Sequence, residues 1–417
     1  MRKKHNDDTL IDDDASLDEL FDLLDLEDPD PEGYESEDIA ENPRAARKQE
    51  KILLKKYTPK QIFEYLNQYV VGQEKAKMIL SVAFYNHLKM LELEDNHNNG
   101  VEVEKSNVIM VGPSGSGKTH IIKHLTKLFN LPYAIADATS LTESGYVGND
   151  VESVLQSLLN NANGNLALAE RGVVFIDEID KKARKGQENT SITRDVSGEG
   201  VQQALLKLIE GSKVDVQLTG TRRHPYGESI EMDTSKILFI VGGAFPGIEK
   251  IIKNRMQYRK QNQVGMALTD KDNRRDQDVS YNEVIEQVTH DDLRSFGMIP
   301  EFLGRMPIIC PLQELREEEL CRILTEPKNA LVKQYEALFL QDKVKLEFAP
   351  EALKLVAETA IKNHTGARGL RSIMEKVLLQ AMFEVPESTA RKRIKTVKID
   401  RDYVKNQLVI ENGKAAV

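Results

Sequence analysis

Gly112, Pro113, Ser114, Gly115, Ser116, Gly117, Lys118 and Thr119 constrain this chain more than any other stretch of it. An apolar run, Asn107 to Val111, precedes them and reads as a buried strand. After them Ile121, Ile122, Leu125 and Leu128 recur at helical spacing. A glycine-rich turn between a strand and a helix aims backbone N–H groups into a concave arc. The helix N-terminus adds partial positive charge. That combination cradles phosphates. The spacing G-x-x-x-x-G-K-T sends Lys118 toward the β- and γ-phosphates and gives Mg²⁺ the Thr119 hydroxyl. ATP and Mg²⁺ are therefore the expected cofactors, and His120, next in the chain, belongs to the same nucleotide-contacting set.

A second apolar strand, Val173 to Ile176, delivers two carboxylates, Asp177 and Glu178. Phosphoryl transfer asks a protein mainly to position groups and offset charge. Asp177 suits the Mg²⁺ shell, and Glu178 suits the attacking water. The plainer reading, two strand-end acids capping the next helix, carries less weight beside an upstream phosphate turn.

Ile237 to Val241 reads as a third strand, with helices between the strands. Strands alternating with helices argue an α/β fold, a parallel sheet covered on both faces. Helices are expected over Gln61–Tyr69 and from Glu74 to about Leu93. Val214, Val216 and Leu218 alternate with polar residues, and a turn at Thr221–Gly227 leads to Ile230 and Met232, the pattern of a hairpin. Residues 257–290 form a long polar connection, either functional or disordered. Beyond Pro311 helices are expected near Glu317–Leu340, Pro350–Asn363 and Leu370–Met382, with strands at Val344–Phe348 and Ile394–Ile399. These make a second, smaller α/β domain. The expected division is a tail over 1–50, a large domain over 51–312 and a small one over 313–417.

Charge separates the tail from the rest. Residues 1–50 hold 18 Asp and Glu against 6 Lys and Arg, so the formal charge of -10 belongs to the tail and the remainder sits at about +2. A near-neutral body gives no support to nucleic-acid binding, which rests on neutralising phosphates. The tail is expected to be largely disordered. Ser16 to Glu19 forms a capping box there, and Leu17, Leu20, Phe21 and Leu24 recur at helical spacing: a short helix that docks a partner, or a transient one. Two cysteines, Cys310 and Cys321, exclude a disulfide framework and a four-cysteine zinc site. No apolar run is long enough to span a bilayer, and no signal peptide opens the chain. A cytoplasmic protein without membrane or zinc partners is the expectation.

Four features stay open on the residues alone. Arg305 is either a surface charge or a finger supplied to a neighbouring subunit. Arg368 is either a surface charge or a contact on the nucleotide from the small domain. Tyr146, between two glycines, is either a turn residue or an exposed grip on an extended chain. Arg222, Arg223 and His224 form either a solvated tip or a contact for acidic tails.

From about Thr58 to Gln407 the chain resembles the ClpX family of AAA+ unfoldases. The resemblance rests on Tyr69 to Glu74, the glycine-rich turn, Gly145–Gly148 with Asp150–Glu152, and Phe175–Lys181. It continues through Arg222–His224, Asp233–Phe239, Gly242–Phe245, Ile299–Arg305 and Gly366–Arg371. It implies a homo-hexameric ring with ATP between subunits and Val70 and Val71 on the adenine side. It makes Arg305 the finger in trans and Arg368 the small-domain sensor. Tyr146 and Val147 become the central-pore grip, and Arg222–His224 an entrance loop. The implied activity is ATP-dependent unfolding and translocation of tagged or unfolded proteins, delivered to a ClpP-like peptidase. The alternative is the same motor remodelling complexes without a protease. A nucleic-acid motor would need a basic face, and a binding module without turnover would not need both Asp177 and Glu178.

Two departures stand out. Members of the family commonly begin with a four-cysteine zinc module, where this sequence has its acidic tail. The peptidase-docking loop usually carries an aliphatic residue, glycine and phenylalanine, and here the candidate is Val264, Gly265 and Met266. No polar sensor is assignable on the third strand, which ends in Val241, Gly242 and Gly243.

Overall fold

The structure, a computed structural model, describes residues 57–95, 103–142, 149–184, 198–217, 229–264, 280–390 and 396–414. The acidic tail, Tyr146, Val147, Arg222, Arg223, His224, Gly265 and Met266 lie outside the described residues.

Helix α1 (Pro59–Asn67) opens on a capping box between Thr58 and Gln61, with proline in its first turn. Helix α2 follows (Glu74–Asp95), then β1 (Val108–Val111), α3 (Lys118–Phe129), β2 (Tyr133–Asp137) and two short strands, β3 (Leu141–Thr142) and β4 (Asn149–Asp150). Next come α4 (Ser153–Asn161), α5 (Leu166–Ala169), β5 (Val173–Asp177) and α6 (Glu199–Glu210). The expected hairpin is present as β6 (Lys213–Gln217) and β7 (Ser229–Asp233), antiparallel with Val216 opposite Ile230. Strand β8 (Leu238–Gly243) precedes α7 (Ile248–Val264), α8 (Tyr281–Ile285), α9 (His290–Phe296), α10 (Pro300–Gly304) and β9 (Ile308–Pro311). The polar stretch 257–290 is thus helical at both ends, and Val264 closes α7.

Among the described residues the main sheet is five-stranded and wholly parallel, in the order β2-β5-β8-β1-β9. The side-chain period of two divides its apolar residues between two cores. Ile109, Val111, Val174, Ile176, Phe239 and Val241 join one, with residues of α4, α6 and α10. Val108, Met110, Val173, Phe175, Leu238 and Ile240 join the other, with α1, α2 and α3. Burial on both faces is why these strands read as unbroken apolar runs. The sequence indicated three strands, and the sheet adds β2 and β9 at its edges.

Beyond Leu312 lies the smaller C-terminal domain, with its own core around Leu324, Tyr335, Val356, Leu370 and Val377. It comprises α11 (Glu317–Thr325), α12 (Leu331–Gln341), β10 (Lys345–Phe348), α13 (Pro350–Lys362), α14 (Gly366–Ala390), β11 (Thr396–Ile399) and α15 (Arg401–Lys414). Strands β10 and β11 pair in parallel. Sequence reasoning took Glu317–Leu340 as a helical region, and it is two helices parted near Pro327. It missed α15 altogether. Among the described residues no helix is long and apolar enough to cross a membrane.

Candidate nucleotide-hydrolysis site

The glycine-rich turn leaves the C-terminal end of β1 in mid-sheet, and its glycines answer to specific crowding. A Cβ on Gly112 would lie 2.6 Å from the Leu312 carbonyl oxygen. Gly115 and Gly117 have φ of +80° and +97°, the left-handed region that costs other residues energy. The Lys118 ammonium is buried and donates to the carbonyls of Gly112 (2.7 Å) and Pro113 (3.0 Å). Burial pulls its pKa down, and Asp177 opposes that pull. The Ser116 hydroxyl is buried and, among the described residues, has no partner. A curled loop with an unpaired hydroxyl and a cation resting on its own carbonyls fits a phosphate chain.

Strand β5 ends beside this turn. Thr119 Oγ1 donates to Asp177 Oδ2 at 3.1 Å, which brings two hard oxygen ligands together. Asp177 Oδ1 accepts the Glu178 N–H at 2.9 Å. Glu178 itself has φ of +59°, a strained setting for a residue with a side chain and one that recurs at functional sites. From the other domain Arg368 reaches within 4.0 Å of Asp177 Oδ2. Lys118, Thr119, Asp177, Glu178 and Arg368 therefore meet in one place.

Of these, Lys118, Thr119 and Arg368 border a cleft of about 450 Å³ between the two domains. Val70, Val71, Gly115–His120 and Arg368 line it. Gly112, Pro113 and Ser114 begin the same turn. Leu331, Gln334, Leu370 and Arg371 close it from the small domain, and Arg371 donates to Gln334 Oε1 at 2.6 Å. His120 approaches the Tyr69 carbonyl at 3.4 Å, and His124 stacks on the Tyr69 ring at 4.2 Å. Burial lowers the pKa of His124 to about 4, so the imidazole is neutral.

Several of these contributors escaped sequence reasoning as individual residues. Arg371 sits inside a motif noted for Arg368. His124 stands one helical turn beyond His120, the only signal it offered. The missing polar sensor has a steric explanation. A Cβ on Gly242 would lie 2.9 Å from Phe175 and 3.3 Å from Asp177 Oδ1, and one on Gly243 2.8 Å from Asp180 Oδ1. The rings of Phe175 and Phe245, with Asp180, crowd β8 so closely here that a side chain would force a neighbour to shift.

Arg305 is not drawn into this cleft. Its carbonyl accepts from Asn107 Nδ2 at 3.1 Å, at the residue that precedes β1. The glycine-rich turn follows β1 at the strand's other end, about 13 Å away at 3.3 Å per residue. Its guanidinium pairs with Glu210 at 3.0 Å, both groups half-exposed.

A parallel sheet with this turn and carboxylate pair, followed by a small α/β domain that lends an arginine, defines an AAA-type ATPase. Residues 103–309 match the family described as AAA domain (Cdc48 subfamily), and residues 315–399 match the C-terminal, D2-small domain of ClpB protein. The chain is 51% identical over 337 residues to the ATP-dependent Clp protease ATP-binding subunit ClpX of Treponema denticola, covering 81% of this chain and 79% of that one. It is 51% identical over 350 residues to the ClpX of Borrelia duttonii, covering 84% and 79%. The chain belongs to the ClpX family. It is an ATPase, and ATP is its nucleotide.

Proposed function

We propose that this chain is an ATP-driven protein unfoldase and translocase that works as a homo-hexameric ring and feeds a ClpP-like peptidase. The observation that carries the ring is the position of Arg305. Each chain has phosphate-binding groups at one end of its strands and a half-exposed arginine at the other. A finger and a phosphate site that cannot meet within one chain can meet between two. Such an arginine accelerates hydrolysis by roughly 10³–10⁵-fold in known systems.

In the working site Lys118 exchanges the Gly112 and Pro113 carbonyls for phosphate oxygens, and the Ser116 hydroxyl gains a partner. Thr119 and Asp177 would hold Mg²⁺, which when bound offsets charge on the phosphates. Glu178 orients water and accepts its proton. Arg368 contacts the phosphates from the small domain, so hydrolysis alters a contact between domains and can drive motion. His120, Val70 and Val71 bound the base side.

Tyr146 and Val147 grip the translocating chain, and Arg222, Arg223 and His224 receive it. One such contact is worth a few kcal/mol at most, whereas a folded substrate is stable by about 5–15 kcal/mol. Several loops and repeated strokes are therefore needed, as a ring provides. Val264, Gly265 and Met266 dock the peptidase. Support comes from the relatives, which are named as subunits of a protease.

Subunit mixing tests the ring. Arg305→Ala and Glu178→Gln proteins are each expected to hydrolyse little ATP. Mixed rings are expected to exceed both, because an intact finger then faces an intact carboxylate pair. No recovery in verified mixed rings would contradict a finger in trans.

A further inference from the structure

The chain passes from the sheet to the small domain through Leu312–Arg316, and two side-chain amides grip that connection. Gln73 Oε1 accepts the Gln313 N–H at 2.9 Å, and Gln73 Nε2 donates to the Gln313 carbonyl at 2.8 Å. Asn282 treats Glu314 the same way, at 2.7 and 3.1 Å. Each carboxamide pairs with both backbone groups of one residue, as a neighbouring strand would.

Gln73 has a further bond. Its Nε2 also donates to the Ser116 carbonyl at 3.2 Å, inside the phosphate turn. The residue is only 3% exposed and has φ of +58°, a conformation that persists where the surroundings hold it. The turn and the connection touch at a second point, where Gly112 faces Leu312 with no room for a Cβ.

We propose that Gln73 is a positioning residue that couples phosphate occupancy of the glycine-rich turn to the connection between the two domains. The proposal rests on the ATPase reading of the cleft and adds a route out of it. An amide nitrogen has two hydrogens, and here both are committed, one to Ser116 and one to Gln313. When Lys118 leaves its two carbonyls for a phosphate, the turn relaxes and the Ser116 carbonyl moves with it. The grip of Gln73 on Gln313 changes in consequence, and the small domain receives the signal through its tether. The residue touches neither substrate nor reacting atoms.

The test is hydrogen–deuterium exchange of the full chain on peptides covering residues 309–316, with and without ATPγS, paired with nucleotide affinity and steady-state ATPase. Two variants are used. Gln73→Leu removes all three bonds. Gln73→Asn keeps an amide that tolerates positive φ but is one methylene too short to reach both partners. In wild type, nucleotide should change exchange at the connection. In both variants the connection should exchange about tenfold faster without nucleotide and should no longer respond to it. Nucleotide affinity should stay within about threefold while kcat falls about tenfold, a split that general destabilisation would not produce. A connection that still responds in the variants, or affinity and kcat falling in parallel, would overturn the coupling. So would a wild-type connection indifferent to bound nucleotide. Failure of wild type to bind ATPγS at all would instead sink the reading of the cleft, so the two failures are distinguishable.

Discussion

Two adjacent carboxylates at the end of β5 have different neighbours, and the different roles proposed for them follow from that. Asp177 is engaged by Thr119, by the Glu178 N–H and, at 4.0 Å, by Arg368. Glu178, in its left-handed backbone conformation, is proposed for the attacking water instead. Glu178→Gln should therefore bind ATP like wild type while hydrolysis falls by at least roughly 100-fold. Lys118→Ala should weaken binding itself, since it removes the cation proposed to meet the phosphates. Fluorescent-nucleotide titration beside an ATPase assay separates the two, and near-normal turnover by Glu178→Gln would contradict the assignment. These residues were legible in the sequence because phosphate chemistry demands fixed residue types at fixed spacing. Gln73 and Arg371 were not, because their roles depend on partners about 240 and 37 residues away in the chain.

At the scale of elements, legibility follows burial. Strands β1, β5 and β8 are covered on both faces and read as apolar runs. Strand β2 alternates buried and exposed residues at the sheet's edge, and β9 is four residues long and ends in proline, so neither announces itself. Helix α15 has a largely polar surface that resembles a tail until it packs on α13 and α14. Helix α2 carries a consequence for pH. His87 is 4% exposed, and neither ring nitrogen has a partner among the described residues. Burial first, and then the nearby Lys105, hold its pKa down from 6.5 to about 3. Between those values the unfolded chain takes up a proton that the folded chain refuses, so stability is full above the unfolded pKa and is lost as pH falls toward the folded one. His87→Leu should remove that loss. Between pH 7.5 and pH 5 the variant should lose less stability than wild type by about 2 kcal/mol. Denaturant titrations at the two pH values measure it, and parallel losses would show that His87 is not a source of acid sensitivity.

At the scale of the whole molecule, the cleft proposed for ATP lies between two domains and takes residues from both. Nucleotide turnover at such a place can become relative motion, which a single-domain site cannot supply. The sequence made the large domain and the cleft legible through short motifs, and the proposed ring and pore only through resemblance, since assembly leaves no local pattern. The central claim is that ATP hydrolysis is spent on unfolding proteins. Its most direct measurement follows loss of fluorescence from a stably folded fluorescent protein bearing an unstructured degradation tag, incubated with excess chain, ATP and a ClpP-type peptidase. The account predicts ATP-dependent loss of the folded signal, none with Glu178→Gln, and slower loss per ATP with Tyr146→Ala. Loss that also requires the peptidase to persist, and that disappears on deleting Val264, Gly265 and Met266, would support delivery. Unfolding without degradation would point to the remodelling alternative. Brisk ATP hydrolysis with the tagged substrate still folded, in the presence of the peptidase, would contradict the account.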